Sequence, residues 1–195
     1  MQKPERLWVY KTQPQKIAET IRQIEEKGGS AVPFVANLGT KEVSETLVDE
    51  TGAKLGGIDI LVNNNGTNRR KQAIDVPEDD CKTPMAINLE SIFWLCQAAC
   101  PRLYKSDCSK VKNTGSMMTL TGIGGMPVYG MTKAAIGQLT KTLALEWAKD
   151  NIQVNCIAPG FFRTPLTEAG FFSDPKKVKF LDQRIPMKRG APPLY

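Results

Sequence analysis

The chain has 195 residues, 41% of them hydrophobic and 24% charged, enough for one core-forming domain and unlike the disordered and fibrous classes. Histidine is absent, which excludes imidazole-based triads and histidine-ligated metal sites, so no metal is expected. The 26 Lys and Arg exceed the 20 Asp and Glu, but the two signs interleave, which points to a solvated surface and not to nucleic acid.

Residues 7–10 form a short β-forming run. Ile17, Ile21 and Ile24 then recur at helical spacing, and Gly28-Gly29 ends that helix. A strand is expected at residues 31–36, then an acidic helix with Val43, Leu47 and Val48 inward, closed by Gly56-Gly57, and a third strand at 58–62. Strands alternating with helices at this spacing predict an α/β fold, because each parallel connection must cross back over the sheet. The alternation continues with a buried helix at 89–99, a strand at 116–120, a long helix at 129–149 and a strand at 152–158. Pro175, Pro186, Pro192 and Pro193 predict a loop-rich tail over 171–195, and no composition shift marks a second domain. No stretch is apolar enough to span a bilayer, and the five cysteines are odd in number and scattered. A cytoplasmic protein with reduced thiols and no membrane partner is expected. Cys96 and Cys100, one turn apart on a buried helix, read as packed small hydrophobes.

In an open parallel sheet, ligands bind beyond the carboxyl ends of the strands. That rule singles out Asn63-Asn64-Asn65-Gly66, Thr121-Gly122-Ile123-Gly124-Gly125, Pro159-Gly160 with Thr164, and the helix start Tyr129-Gly130-Met131-Thr132-Lys133. Tyr129 and Lys133 share one helix face a turn apart. A phenol with a pKa near ~10 is a weak acid at neutral pH, and a neighbouring ammonium favours the phenolate. The pair can therefore deliver or remove a proton at a carbonyl or alcohol oxygen. A tyrosine and a lysine at this spacing also occur on ordinary amphipathic helices, so the surrounding sequence decides.

Those surroundings are Gly57 through Asn63-Asn64-Asn65-Gly66, Ile87-Asn88-Leu89, Ala134-Ala135 after Lys133, and Asn151 through Pro159-Gly160 to Thr164-Pro165. From about residue 7 to residue 190 the chain resembles the short-chain dehydrogenase/reductase family, and within it gluconate 5-dehydrogenase and 3-oxoacyl-carrier-protein reductase relatives. The resemblance implies a Rossmann-like, doubly wound parallel sheet. It also implies an NAD(P)-dependent oxidoreductase that interconverts a secondary alcohol and a ketone by hydride transfer. Tyr129 would donate the proton, Lys133 would make the phenol easier to ionise and bond the nicotinamide ribose, and Asn88 would hold a water in a proton relay. Asn63 and Gly66 would line the adenosine side, Asn37 would stand where an aspartate often meets the adenine, and Pro159, Gly160 and Thr164 would fix the carboxamide. Lys11, just after the first strand, suits a 2′-phosphate and favours NADP over NAD. The family also implies a homo-oligomer, with Ile136, Leu139, Leu143 and Trp147 as its apolar contact.

The match has gaps. The family's glycine-rich phosphate turn and its strand belong ahead of residue 7, between the strands at 7–10 and 58–62, and their absence predicts two unpaired edges. The family's last strand is likewise not found. A rival reading follows: a truncated or degenerate member without activity that partners intact relatives. For the catalytic hydroxyl, counting about thirteen residues back from Tyr129 selects Ser116. A strand at 116–120 would put Ser116 at the wrong end of the sheet, leaving Thr121 as the expected catalytic hydroxyl. Asn65 stands where the family commonly has alanine. Arg69 and Arg70 fit either a substrate carboxylate or a solvated loop.

Overall fold

In the computed structural model, which describes residues 6–10, 14–164 and 167–191, strands and helices alternate along the chain. They run β1 (Arg6–Tyr10), α1 (Pro14–Glu25), β2 (Ser30–Phe34), α2 (Lys41–Leu55), β3 (Ile60–Asn63), α3 (Glu78–Met85) and α4 (Ser91–Leu103). Then follow β4 (Lys110–Thr114), α5 (Pro127–Trp147), β5 (Gln153–Ile157) and α6 (Pro175–Arg184). Local chemistry sets several boundaries. Thr40 Oγ1 accepts the Val43 N–H at 3.4 Å to open α2, and Gly56, at φ 78°, closes it. Pro127 sits in the first turn of α5, where its missing N–H costs nothing.

All strand pairs are parallel, but they fall into two sheets. β1 pairs with β2, and β3, β4 and β5 form the other sheet in register Asn63, Asn113, Cys156. Among the described residues no pairing joins β1 to β3, so the two unpaired edges expected from the sequence are present. The larger sheet is covered on one face. Val111 and Val154 point into a core with Ile92, Leu95, Ala99 and Leu103 of α4 and Ile136, Leu143 and Trp147 of α5. Its other face leaves Ile60 50%, Val62 54% and Ile157 56% exposed, with Lys112 and Asn155 beside them.

Four expectations are corrected. The fourth strand lies at Lys110–Thr114, not at 116–120, where Met117–Thr119 form a single tight turn. Only Val111 and Asn113 of β4 face inward, so the strand has no apolar alternation to read. The tail is not all loop: Asp174 accepts the Lys176 N–H at 2.9 Å and opens α6, with Pro175 at its first position. Finally, Ile136, Leu143 and Trp147 are buried in the core and Leu139 packs against it, so that stripe is not an outward oligomer contact. The helix expected at 89–99 also begins earlier, running from α3 through a wide turn at Ala86–Glu90 into α4.

Candidate active site

The carboxyl ends of β3, β4 and β5 meet at one end of the larger sheet, and backbone bonds lock the loops that leave them. The Gly115 N–H donates to the Ile157 carbonyl at 2.8 Å and the Met117 N–H to the Pro159 carbonyl at 2.9 Å. A Cβ on Gly115 would lie 2.7 Å from both Cys156 Sγ and Thr119 Oγ1, so only glycine allows this approach. In the second turn of α5, Lys133 is 3% exposed, and its Nζ donates to the Thr114 carbonyl at 2.6 Å. Desolvation pushes its pKa below the usual lysine value, with the nearby Cys156 acting in the opposite direction. The ammonium lies 5.6 Å from the centre of the Tyr129 ring. With one hydrogen on Thr114, it keeps two for a ligand. A Cβ on Gly66 would lie 3.7 Å from Lys133 Nζ and 3.6 Å from Asn88 Oδ1, so any side chain there would grow into the space beside the lysine.

Ser116 lies two residues beyond β4, at the ligand end of the sheet. Its Oγ accepts the Met118 N–H at 3.2 Å, and its own N–H donates to Thr119 Oγ1, which donates to the Lys133 carbonyl at 2.9 Å. The serine turn is thereby tied to the lysine turn of α5. Thr121 does not end a strand; it is exposed, and its hydroxyl donates to the Met117 carbonyl at 3.0 Å. The strand thus ends before Ser116 and not after it, which removes the reason for placing Ser116 at the wrong end of the sheet.

Asn88 is fully buried and its amide is spent on protein. Its Oδ1 accepts the Thr67 N–H at 2.7 Å, while Nδ2 donates to the Thr67 carbonyl at 2.8 Å and to Thr132 Oγ1 at 3.2 Å. Both amide hydrogens are used on protein, so the side chain clamps Thr67 and Thr132, and Oδ1 keeps one lone pair. Asn63 is buried too. It lies inside the sheet, where its Nδ2 donates to Asn113 Oδ1 at 2.8 Å and Asn113 Nδ2 donates to Thr140 Oγ1 at 3.0 Å. Its side chain sits beneath the site, facing α4 and α5. Asn37 is exposed past the end of β2, Thr164 is engaged with Thr167, and Lys11 lies outside the described residues. Burial pushes the Cys96 thiol up to about 12, which fits an inert packed group.

A cavity of about 620 Å³ opens beside these residues, lined by Met117, Thr121, Gly160 and Phe161 and, from α6, by Phe180, Leu181 and Arg184. A second of about 390 Å³ shares Ile123 and Phe180 with it and adds Arg70, Lys176 and Lys177. Arg69 and Lys71 both turn to Asp80, at 3.9 and 3.2 Å, whereas Arg70 between them stacks over Phe171 at 5.4 Å. The adjacent arginines thus have different surroundings, which their sequence did not separate.

The Tyr129 ring thus stands near a buried cation at the end of the sheet where the loops converge. The family model for short chain dehydrogenase matches residues 1–171. The chain belongs to the short-chain dehydrogenase family. A tropinone reductase homolog of Arabidopsis thaliana is 35% identical over 180 residues, covering 89% of this chain and 65% of that protein. The 2-dehydro-3-deoxy-D-gluconate 5-dehydrogenase of Escherichia coli is 35% identical over 176 residues, covering 90% of this chain and 69% of that enzyme. A gluconate 5-dehydrogenase from Burkholderia cenocepacia, solved with NADP and tartrate, superposes at a TM-score of 0.88 with 30% identity, covering 95% of this chain and 72% of that one. The chain therefore spans about two thirds of the length of the curated relatives it matches. Sequence reasoning had no signal for Thr67 or for the Thr114 carbonyl, since one acts through its backbone on Asn88 and the other through its backbone on Lys133.

Proposed function

We propose that the chain interconverts a secondary alcohol and a ketone with NADP, Tyr129 exchanging the proton at the substrate oxygen. The observation that carries this reading is Lys133, buried, anchored on Thr114 and facing the Tyr129 ring, with two hydrogens to spare. The residues present suit the nicotinamide end of the cofactor: Lys133 for the ribose hydroxyls, Gly66 for clearance, and Gly160 along the larger cavity. They do not supply a pyrophosphate cradle, for no glycine-rich turn stands among the described residues ahead of α1. A bound nicotinamide would supply or accept the hydride, and the protein aligns the reactants and steadies charge on oxygen. Ser116 is the second hydroxyl in this reading, its O–H left free to donate to the substrate carbonyl. Ser116→Ala is expected to lower kcat at least about tenfold, whereas Thr121→Ala stays within about twofold. Equal losses in the two variants would reverse the assignment.

The substrate we propose carries a carboxylate. Arg70 and Lys176 line the second cavity with Lys177, which also pairs with Asp174 at 3.6 Å, and the cavity has no acidic lining. The sugar-acid relatives support the same chemistry. Arg70→Met is expected to raise KM for a keto sugar acid at least about tenfold and to leave a neutral polyol unchanged. An unchanged KM for the acid would remove the carboxylate from the reading. The same proposal places the protein in the cytoplasm with its thiols free, and assigns any self-association to the outward side of α5, where Met131 and Leu145 are exposed.

Titration of the purified chain with NADPH and NADH by fluorescence, followed by assay on keto sugar acids, tests the function. Tighter binding of NADPH is expected. The split sheet favours one second reading, a non-catalytic partner of intact relatives, and absence of any cofactor signal would select it.

A further inference from the structure

Asn65 replaces a residue that the family resemblance makes alanine, and both hydrogens of its amide are employed. Nδ2 donates to the Ile87 carbonyl at 2.5 Å and to Ser91 Oγ at 2.9 Å, while the Ser91 hydroxyl donates to the same carbonyl at 2.7 Å. The knot closes on itself: two N–H and one O–H meet one hydroxyl oxygen and the two lone pairs of one carbonyl. Ser91 is fully buried and Asn65 and Ile87 are partly so, which shelters these bonds from bulk water in part.

The knot sits on the wide turn Ala86–Glu90, where the helix passes from four-residue to five-residue hydrogen-bond spacing between α3 and α4. Such a turn is a rare, weakly bonded geometry that needs support from side chains. Asn88 is at its centre. From there it clamps Thr67 on both backbone atoms and reaches Thr132, whose hydroxyl donates to the Tyr129 carbonyl at 2.8 Å. The loop after β3 is thus fastened to the turn at two places, Asn65 on Ile87 and Thr67 on Asn88, and the turn is fastened to α5 through Thr132.

We propose that Asn65 is a positioning residue: with Ser91 it fixes the wide turn so that Asn88 holds the Gly66–Thr67 backbone against the Tyr129–Lys133 turn of α5. Alanine at 65 would remove the bonds to the Ile87 carbonyl and to Ser91 Oγ and would cut one of the two fastenings. The consequence for turnover rests on the function proposed above; the consequence for the loop does not.

The test is amide hydrogen exchange on the free chain for the wild type, Asn65→Ala, Asn88→Ala and the double variant. Asn65→Ala is expected to speed exchange of the Thr67 amide at least tenfold while protection in β4 is unchanged. In the Asn88→Ala background the same change should add nothing at Thr67. Unchanged exchange at Thr67 overturns the proposal, and so does an equal acceleration throughout the chain, which marks general destabilisation. In turnover, Asn65→Asp places a carboxylate with no donor against the Ile87 carbonyl, so its kcat relative to wild type should fall at neutral pH and recover as acid restores an O–H. A flat ratio across pH counts against positioning. A wild-type chain without turnover refutes the proposed function, and the exchange measurement alone then decides the role of Asn65.

Discussion

Tyr129→Phe is expected to lower kcat for carbonyl reduction at least about 100-fold, the scale of a lost general acid, with NADPH affinity unchanged. The argument is geometric. The substitution removes one oxygen and leaves the ring that faces Lys133 Nζ. It also leaves the backbone carbonyl that accepts the Thr132 hydroxyl at 2.8 Å, so the chain from Thr132 to Asn88 survives. Lys133 remains anchored on Thr114. A loss confined to kcat is therefore the mark of a proton-transfer group, and a parallel loss of cofactor affinity would instead mark a binding role. Steady-state kinetics with a keto sugar acid, beside a thermal melt, separates the two. Turnover within about tenfold of the wild type would show that another group supplies the proton.

How far the sequence reveals this site depends on whether a residue's role follows from its own type or from its neighbours in space. Tyr129 and Lys133 are legible because a helix turn brings them together, and Gly66 is legible as part of a contiguous motif. β4 is not, because its sheet is covered on one face only: Lys112 faces the open side, and the inward Asn113 is satisfied by Asn63 and Thr140 from elements far along the chain. The polar strand hides beside Met117-Met118 and Leu120, whose apolar run belongs to a tight turn and its exit. That displacement of the strand is what moved the expected hydroxyl from Ser116 to Thr121. The α5 stripe erred in the other direction. Ile136, Leu143 and Trp147 have the period of an exposed apolar face, and only packing in the core beside β5 shows that the core uses them. α6 was hidden by its proline, which breaks a helix interior but suits the first turn it occupies.

A chain extended ahead of Met1 by a β-strand and a glycine-rich turn leading into a helix is expected to melt higher and to bind NADPH at least tenfold more tightly, about 1.4 kcal/mol or more. β1 is paired only to β2, and β3 only to β4, among the described residues, so each sheet presents an edge of unsatisfied backbone groups. A buried group without a partner costs on the order of 1–3 kcal/mol, and total stability is only about 5–15 kcal/mol, so pairing one strand with both edges is a large change. The helix after the turn would cover the face on which Ile60 and Val62 are now half exposed. The turn would place backbone N–H groups where a pyrophosphate can meet a helix start, which the described part of the chain does not offer. The two gains have different causes and can be separated. Replacing the turn glycines by valine in the extended chain should keep most of the rise in melting temperature and lose the gain in affinity, because the strand still pairs while the backbone can no longer approach the phosphates. Calorimetry and NADPH fluorescence on the three chains read both effects. An extension that changes neither melting temperature nor affinity would mean that the two edges are satisfied in another way and that the dinucleotide does not bind across them.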